Sequence, residues 1–215
     1  MKKLVCTLLV CVMAMVAVAQ EREENRLGWN IALQGGAHYS AFENTRHASF
    51  GDAVNGHVGL SVGYDFSHAI GARAELSYGR NISGTNTVDS GRPLVLYHCN
   101  DVSLFADAIF NLSHLLSKDR RNNFMVEAKG YVGLGLAMPS EGTDPNVNLN
   151  YNYSEGTSTV AAVRVGAIGE WHLDSNWSFL LDGCVTGYGD KFNGVDAGRA
   201  LDVRLGLSFG VKYHF

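Results

Sequence analysis

Along the last fifteen residues every second position is apolar: Leu201, Val203, Leu205, Leu207, Phe209, Val211, Tyr213 and Phe215. Asp202, Arg204, Gly206, Ser208, Gly210, Lys212 and His214 lie between them. At the chain's 46% hydrophobic content, an alternation this strict arises by chance with a probability on the order of 10⁻⁵ for a given frame. Side chains two apart share a face of a strand, so this segment is a strand with one apolar and one polar face. Val58, Leu60, Val62, Tyr64 and Phe66 repeat the pattern, with Gly59, Ser61, Gly63 and Asp65 between them.

Followed through the chain, the pattern predicts eight strands, at 28–40, 56–66, 70–81, 96–112, 124–138, 157–173, 177–188 and 200–215. The fourth alternates least cleanly: Leu94 to Asn100 breaks the period, and Phe105 and Ile109 fall on its polar face. The connections alternate in length. Ser67-His68-Ala69 and Asp174-Ser175-Asn176 are tight turns, whereas 41–55, 82–95, 139–156 and 189–199 are long and polar. The link at 113–123, with Lys118, Asp119, Arg120 and Arg121, is too long for a tight turn but polar. Short links on one side and long links on the other are the mark of an up-and-down membrane barrel.

Periodicity does not say which face turns inward, because a soluble barrel and a membrane barrel have opposite polarity. Residue size helps to decide. The polar face carries Gly59, Ser61, Gly63, Gly71, Ser77, Gly79, Gly133, Gly135, Ala137, Gly206, Ser208 and Gly210, as a narrow eight-stranded lumen requires if a few long side chains are to fit. Those long side chains are Arg73, Glu75, Asp107, Glu127, Lys129, Arg164, Glu170, Asp182, Asp202 and Arg204, six acidic and four basic. Such a mixture suits mutual pairing in a closed interior, where a lone charge is costly. The expected pairs join Arg73, Arg164 and Arg204 to Glu75, Glu127, Asp182 and Asp202. On the apolar face, Trp29, Tyr39, Tyr64, Phe66, Tyr78, Phe124, Trp171, Trp177, Tyr213 and Phe215 fall near strand ends, where membrane interfaces hold aromatic rings. The expected fold is all-β: an eight-stranded antiparallel up-and-down transmembrane β-barrel.

Composition agrees, with 25 glycines and three prolines beside nine tyrosines and ten phenylalanines, a strand-and-turn mixture. Residues 1–19 read as a secretory signal peptide: Lys2 and Lys3, an apolar stretch from Leu4 to Val16, then Ala17-Val18-Ala19. Residues 20–215 then form one barrel domain. Lipidation at Cys11 is disfavoured by the large Val10 before it. Loss of two basic residues leaves 15 against 21 acidic ones, a net charge of −6, which gives no reason to expect a nucleic-acid partner. No second apolar run reaches the roughly 18 residues of a membrane-spanning helix.

With the alternation established, the ending Leu205-Gly-Leu-Ser-Phe-Gly-Val-Lys-Tyr-His-Phe215 resembles the terminal strand of outer-membrane proteins. The resemblance implies that Phe209, Val211, Tyr213 and Phe215 form the signal read by the barrel-assembly machinery. Asp107-Ala-Ile-Phe-Asn-Leu-Ser113 and Gly130-Tyr-Val-Gly-Leu-Gly135 resemble the barrel domain of OmpA-like and OmpX-like proteins of the Bacteroidetes type. No peptidoglycan-binding domain is expected, so cell-wall tethering is not carried over. The resemblance implies a bacterial outer-membrane location, contact with outer-membrane lipid and lipopolysaccharide, and roles in envelope integrity, surface interaction or small-solute passage.

Candidate chemistry is sparse. His38, His47, His57 and His98 lie near the long-loop end, and a metal or hydrolase site there has to be weighed against scattered surface histidines. No HExxH pattern occurs, and the two G-x-S-x-G strings, Gly59-Leu-Ser-Val-Gly63 and Gly206-Leu-Ser-Phe-Gly210, lie inside alternating strands and not at a strand-to-helix turn, so neither supports such a site. The surface reading is preferred, and no cofactor is expected. Cys99 and Cys184, the two cysteines beyond the signal, lie on strands that are not neighbours, and a bond between them stays open. The loop Pro139 to Glu155, with Asn146, Asn148, Asn150, Tyr151, Asn152 and Tyr153, suits an extracellular ligand of unknown identity, or simply solvation. The expected role is structural or interactive through loops 41–55, 139–156 and 189–199. A narrow pore is the alternative, and a lipid-modifying enzyme stands third.

Overall fold

In the computed structural model, residues 27–41, 50–84, 96–116, 125–140, 159–189, 192 and 201–215 are described. Eight strands follow one another: β1 (Gly28–Ala41), β2 (Val54–Asp65), β3 (Ile70–Gly84), β4 (Leu96–Asn111), β5 (Val126–Pro139), β6 (Val160–His172), β7 (Trp177–Tyr188) and β8 (Asp202–His214). Each pairs antiparallel with the next, and β8 returns to β1 to close the barrel. The closing seam runs through twelve register pairs, from Asn30 opposite His214 to Ala41 opposite Val203. Closure satisfies the backbone groups of both end strands, which hydrocarbon could not do.

The side chains sort as the alternation predicts. Leu134, Phe209, Trp29 and Leu76 turn outward, 70%, 63%, 60% and 52% exposed, while all ten charged residues expected in the lumen are buried. A soluble barrel would show the opposite arrangement. At the short-turn end, Phe66, Tyr64 and Trp29 form one chain of ring contacts and Trp177, Tyr213 and Phe215 another. The Phe215 amide donates to the Trp29 carbonyl at 3.1 Å and links the two chains. Phe124 lies outside the described residues.

The tight turns are built by their own polar side chains. Asp174 Oδ1 accepts from the amides of Asn176 and Trp177, each at 2.8 Å, an Asx-turn that reverses the chain. Ser67 Oγ does the same for Ala69 and Ile70. Two expectations need correction. The link after β4 is not polar throughout, because Leu112–Leu116 forms a helical turn, α2, and its Leu112, Leu115 and Leu116 are exposed. Asn111 Oδ1 caps it by accepting from the His114 amide. The first long link is also shorter than expected, because a four-residue helix, α1 (Phe50–Ala53), leads directly into β2.

Lumen glycines stand where register brings a large inward side chain to a neighbouring strand. Phe105 is paired with Gly135 and Asp107 with Gly133, while Tyr131 is paired with Gly166. A Cβ at any of these glycines would collide with the facing side chain. Gly135→Val and Gly166→Val should each destabilise the refolded barrel by about 1–3 kcal/mol. Gly183→Ala, where a Cβ meets nothing within 4 Å, should leave stability unchanged. Urea titration of heat-modifiable gel mobility checks all three variants.

Candidate functional site in the barrel interior

The lumen is filled by three layers of polar side chains. In the middle layer, Arg164 donates from Nε and Nη2 to Asp107 at 2.8 and 2.6 Å, and from Nη1 to Glu75 at 2.7 Å. Arg73 donates to Asp107 at 2.7 Å and to Asp182 at 3.2 Å. Five residues from β3, β4, β6 and β7 thereby bridge the interior. The three carboxylates outnumber the two guanidiniums, and neutral donors serve the surplus: Tyr131 Oη donates to Asp182 at 2.8 Å and Gln34 Nε2 to Glu75 at 3.3 Å. Arg164 lies 4.1 Å over the Phe105 ring, and Arg73 lies 4.6 Å over that of Tyr131. Inward aromatic faces therefore help to hold the guanidiniums. Phe105 thus keeps its place on the polar face of β4 for a reason.

At the short-turn end, Lys129 bridges Glu127 at 2.9 Å and Glu170 at 2.7 Å, and Lys212 reaches Glu170 at 3.1 Å. His114 meets Glu127, and His214 meets Glu170, each at 3.2 Å. At the long-loop end, Arg204 donates to Asp101 at 3.1 Å and lies 4.8 Å over the Tyr188 ring. Tyr188 stacks on Phe192 with ring centres 3.9 Å apart, and both are buried. The lumen retains small cavities, one of about 30 Å³ near the short turns and one of about 30 Å³ in the long-loop half. Each has room for a water molecule or two.

Several expected pairings change. Glu127 pairs with Lys129 and histidines rather than with an arginine. Arg204 takes Asp101, which the broken period at the start of β4 had hidden. Asp107 joins the two central arginines, and Asp202 is buried without being part of that central bridge. Lys212, His172 and His214 are also buried in the interior. Their signal was available, since Lys212 and His214 occupy polar positions in the terminal alternation.

The surface reading of the histidines also changes. His98 is exposed and His47 lies outside the described residues. His38 is instead buried in the lumen, with its Nδ1 3.4 Å from Nδ1 of His57. Cys99 and Cys184 are both free thiols. Among the described residues, no group of three or more His, Cys, Asp or Glu side chains is arranged to hold a metal ion.

A closed antiparallel eight-stranded barrel with an apolar exterior and an ion-paired interior defines an outer-membrane barrel. The chain belongs to the outer membrane protein beta-barrel domain family, whose model matches residues 5–215. Neisserial surface protein A is similar in fold, at 17% identity and a TM-score of 0.53, covering 87% of this chain and 97% of its own. A major outer membrane protein from Thermus thermophilus is similar at 16% identity and 0.53, covering 87% of this chain and 99% of its own. The attachment invasion locus protein of Yersinia pestis matches at 15% identity and 0.46, over 88% of this chain and 99% of its own. No curated protein matches the chain significantly. The family and the fold support a bacterial outer-membrane location.

Removing one partner of a buried ion pair strands the other. Arg164→Met leaves Asp107 and Glu75 short of their main donor and should cost about 3–5 kcal/mol. Adding Asp107→Asn and Glu75→Gln should recover part of that loss. Urea midpoints of the three proteins measure it.

Proposed function

We propose that this protein is a sealed structural barrel that displays its long loops at the cell surface, and that it has no catalytic role. The observation that supports this is the central bridge of Arg73, Arg164, Glu75, Asp107 and Asp182, which crosses the lumen between two small cavities. An ion would have to part several buried charge pairs to pass, so a rigid plug fits the geometry better than a conduit. The loops within 41–55, 139–156 and 189–199, held on a stiff scaffold, are the part left to carry specificity.

In the same reading, residues 1–19 direct export, and the apolar band contacts outer-membrane lipid and lipopolysaccharide. Phe209, Val211, Tyr213 and Phe215 engage the barrel-assembly machinery. All four lie on the outward side of β8 and its end, Phe209, Val211 and Phe215 exposed and Tyr213 half-buried, where another protein could read them before lipid covers them.

In planar bilayers the protein should give no steady single-channel current, while Arg73→Ala with Arg164→Ala should open measurable conductance. Large steady currents from the unsubstituted barrel would establish the narrow-pore alternative instead. Deleting residues 141–158 should leave assembly intact and reduce binding of cells to host or bacterial surfaces. Unchanged binding after every loop deletion would remove the display role.

A further inference from the structure

His38 on β1 and His57 on β2 are diagonal neighbours on the inward face, since His57 pairs with Gly36 and His38 with Asn55. Their Nδ1 atoms face each other at 3.4 Å, and the rings are tilted by 38°. Read as a hydrogen bond between neutral rings, this contact is long against the usual 2.7–3.2 Å. Two imidazole nitrogens bound to one tetrahedral ion, each about 2.0–2.1 Å from it, stand about 3.3–3.4 Å apart. The observed separation is that bite.

Two further features surround the pair. His57 Nε2 lies 2.7 Å from Ser208 Oγ on β8, so the ring is held by its far nitrogen, as metal-ligating histidines usually are. In that arrangement Nε2–H donates to Ser208 and the Nδ1 lone pair is free to bind. Gly206 keeps the adjoining space open, because a Cβ there would come within 2.8 Å of Cys184 Sγ. His38, His57, Cys184, Gly206 and Ser208 all line the cavity of about 30 Å³ in the long-loop half, which has room for water to complete a coordination sphere. The Arg204 guanidinium on the same side is engaged with Asp101.

We propose that His38 and His57 form a binding site for a divalent first-row transition-metal ion such as Zn²⁺, Ni²⁺ or Cu²⁺, positioned by Ser208 and completed by water. This goes beyond the display role and does not depend on what the loops bind. The ion joins β1 to β2 just inside the long-loop end.

The test uses the untagged barrel in detergent micelles, titrated calorimetrically with zinc, nickel and copper. One equivalent should bind saturably, copper more tightly than nickel or zinc, with imidazole nitrogen at about 2.0 Å by X-ray absorption. His38→Asn and His57→Asn should abolish that binding while keeping heat-modifiable mobility, and Ser208→Ala should weaken it about 10-fold or more. His98→Gln should leave it unchanged. No saturable binding, or binding undiminished by His57→Asn, overturns the proposal. Should neither asparagine variant fold, carbethoxylation of the unsubstituted chain decides: zinc must shield His57 and not His98, and equal modification of both overturns the site.

Discussion

Hydrocarbon offers the peptide group no hydrogen-bond partner, and most of this structure follows from that. Every strand must have two neighbours, so β8 must return to β1, and the twelve-pair seam is where that requirement is met. Once eight strands close, the interior is narrow. A narrow interior accepts few long side chains, and each needs an empty place opposite it. The pairings of Phe105 with Gly135, Asp107 with Gly133 and Tyr131 with Gly166 provide those places.

Solvent outside and crowding inside together decide the chemistry of the lumen. With apolar residues committed to the exterior, the inward positions fall to polar ones, and in a closed space those must satisfy one another. Arg164 does so with both oxygens of Asp107 and one of Glu75. Tyr131 and Gln34, both neutral, serve carboxylates that the guanidiniums do not saturate. Ring faces take the remaining surface of the arginines.

Strand positions, strand order, face polarity and the ten lumen charges were legible in the sequence because each depends on a period of two, which local composition records. Partner choice was not legible. Arg204 meets Asp101 and Lys212 meets Glu170 across the barrel, and which inward residues share a level depends on the stagger between strands, which no local pattern reports. Asp101 was hidden by the irregular start of β4. His38 and His57 were visible as histidines near the long loops, but their contact depends on a diagonal register that sequence does not give. The α2 turn escaped notice because Leu112 to Leu116 is too short for helical periodicity.

The middle layer joins residues far apart along the chain, 89 positions for Arg164 and Glu75 and 109 for Arg73 and Asp182. Hairpins can enter a bilayer two strands at a time, and Arg73 meets Asp107 within the β3–β4 hairpin, but Arg164 and Asp182 find their charged partners only when β6 and β7 have joined β3 and β4. A half-assembled sheet would hold bare ions against acyl chains, a strongly unfavourable state. Insertion of this protein is therefore pushed towards a single concerted event, and the same bridge, once formed, resists extraction of any one hairpin from the wall.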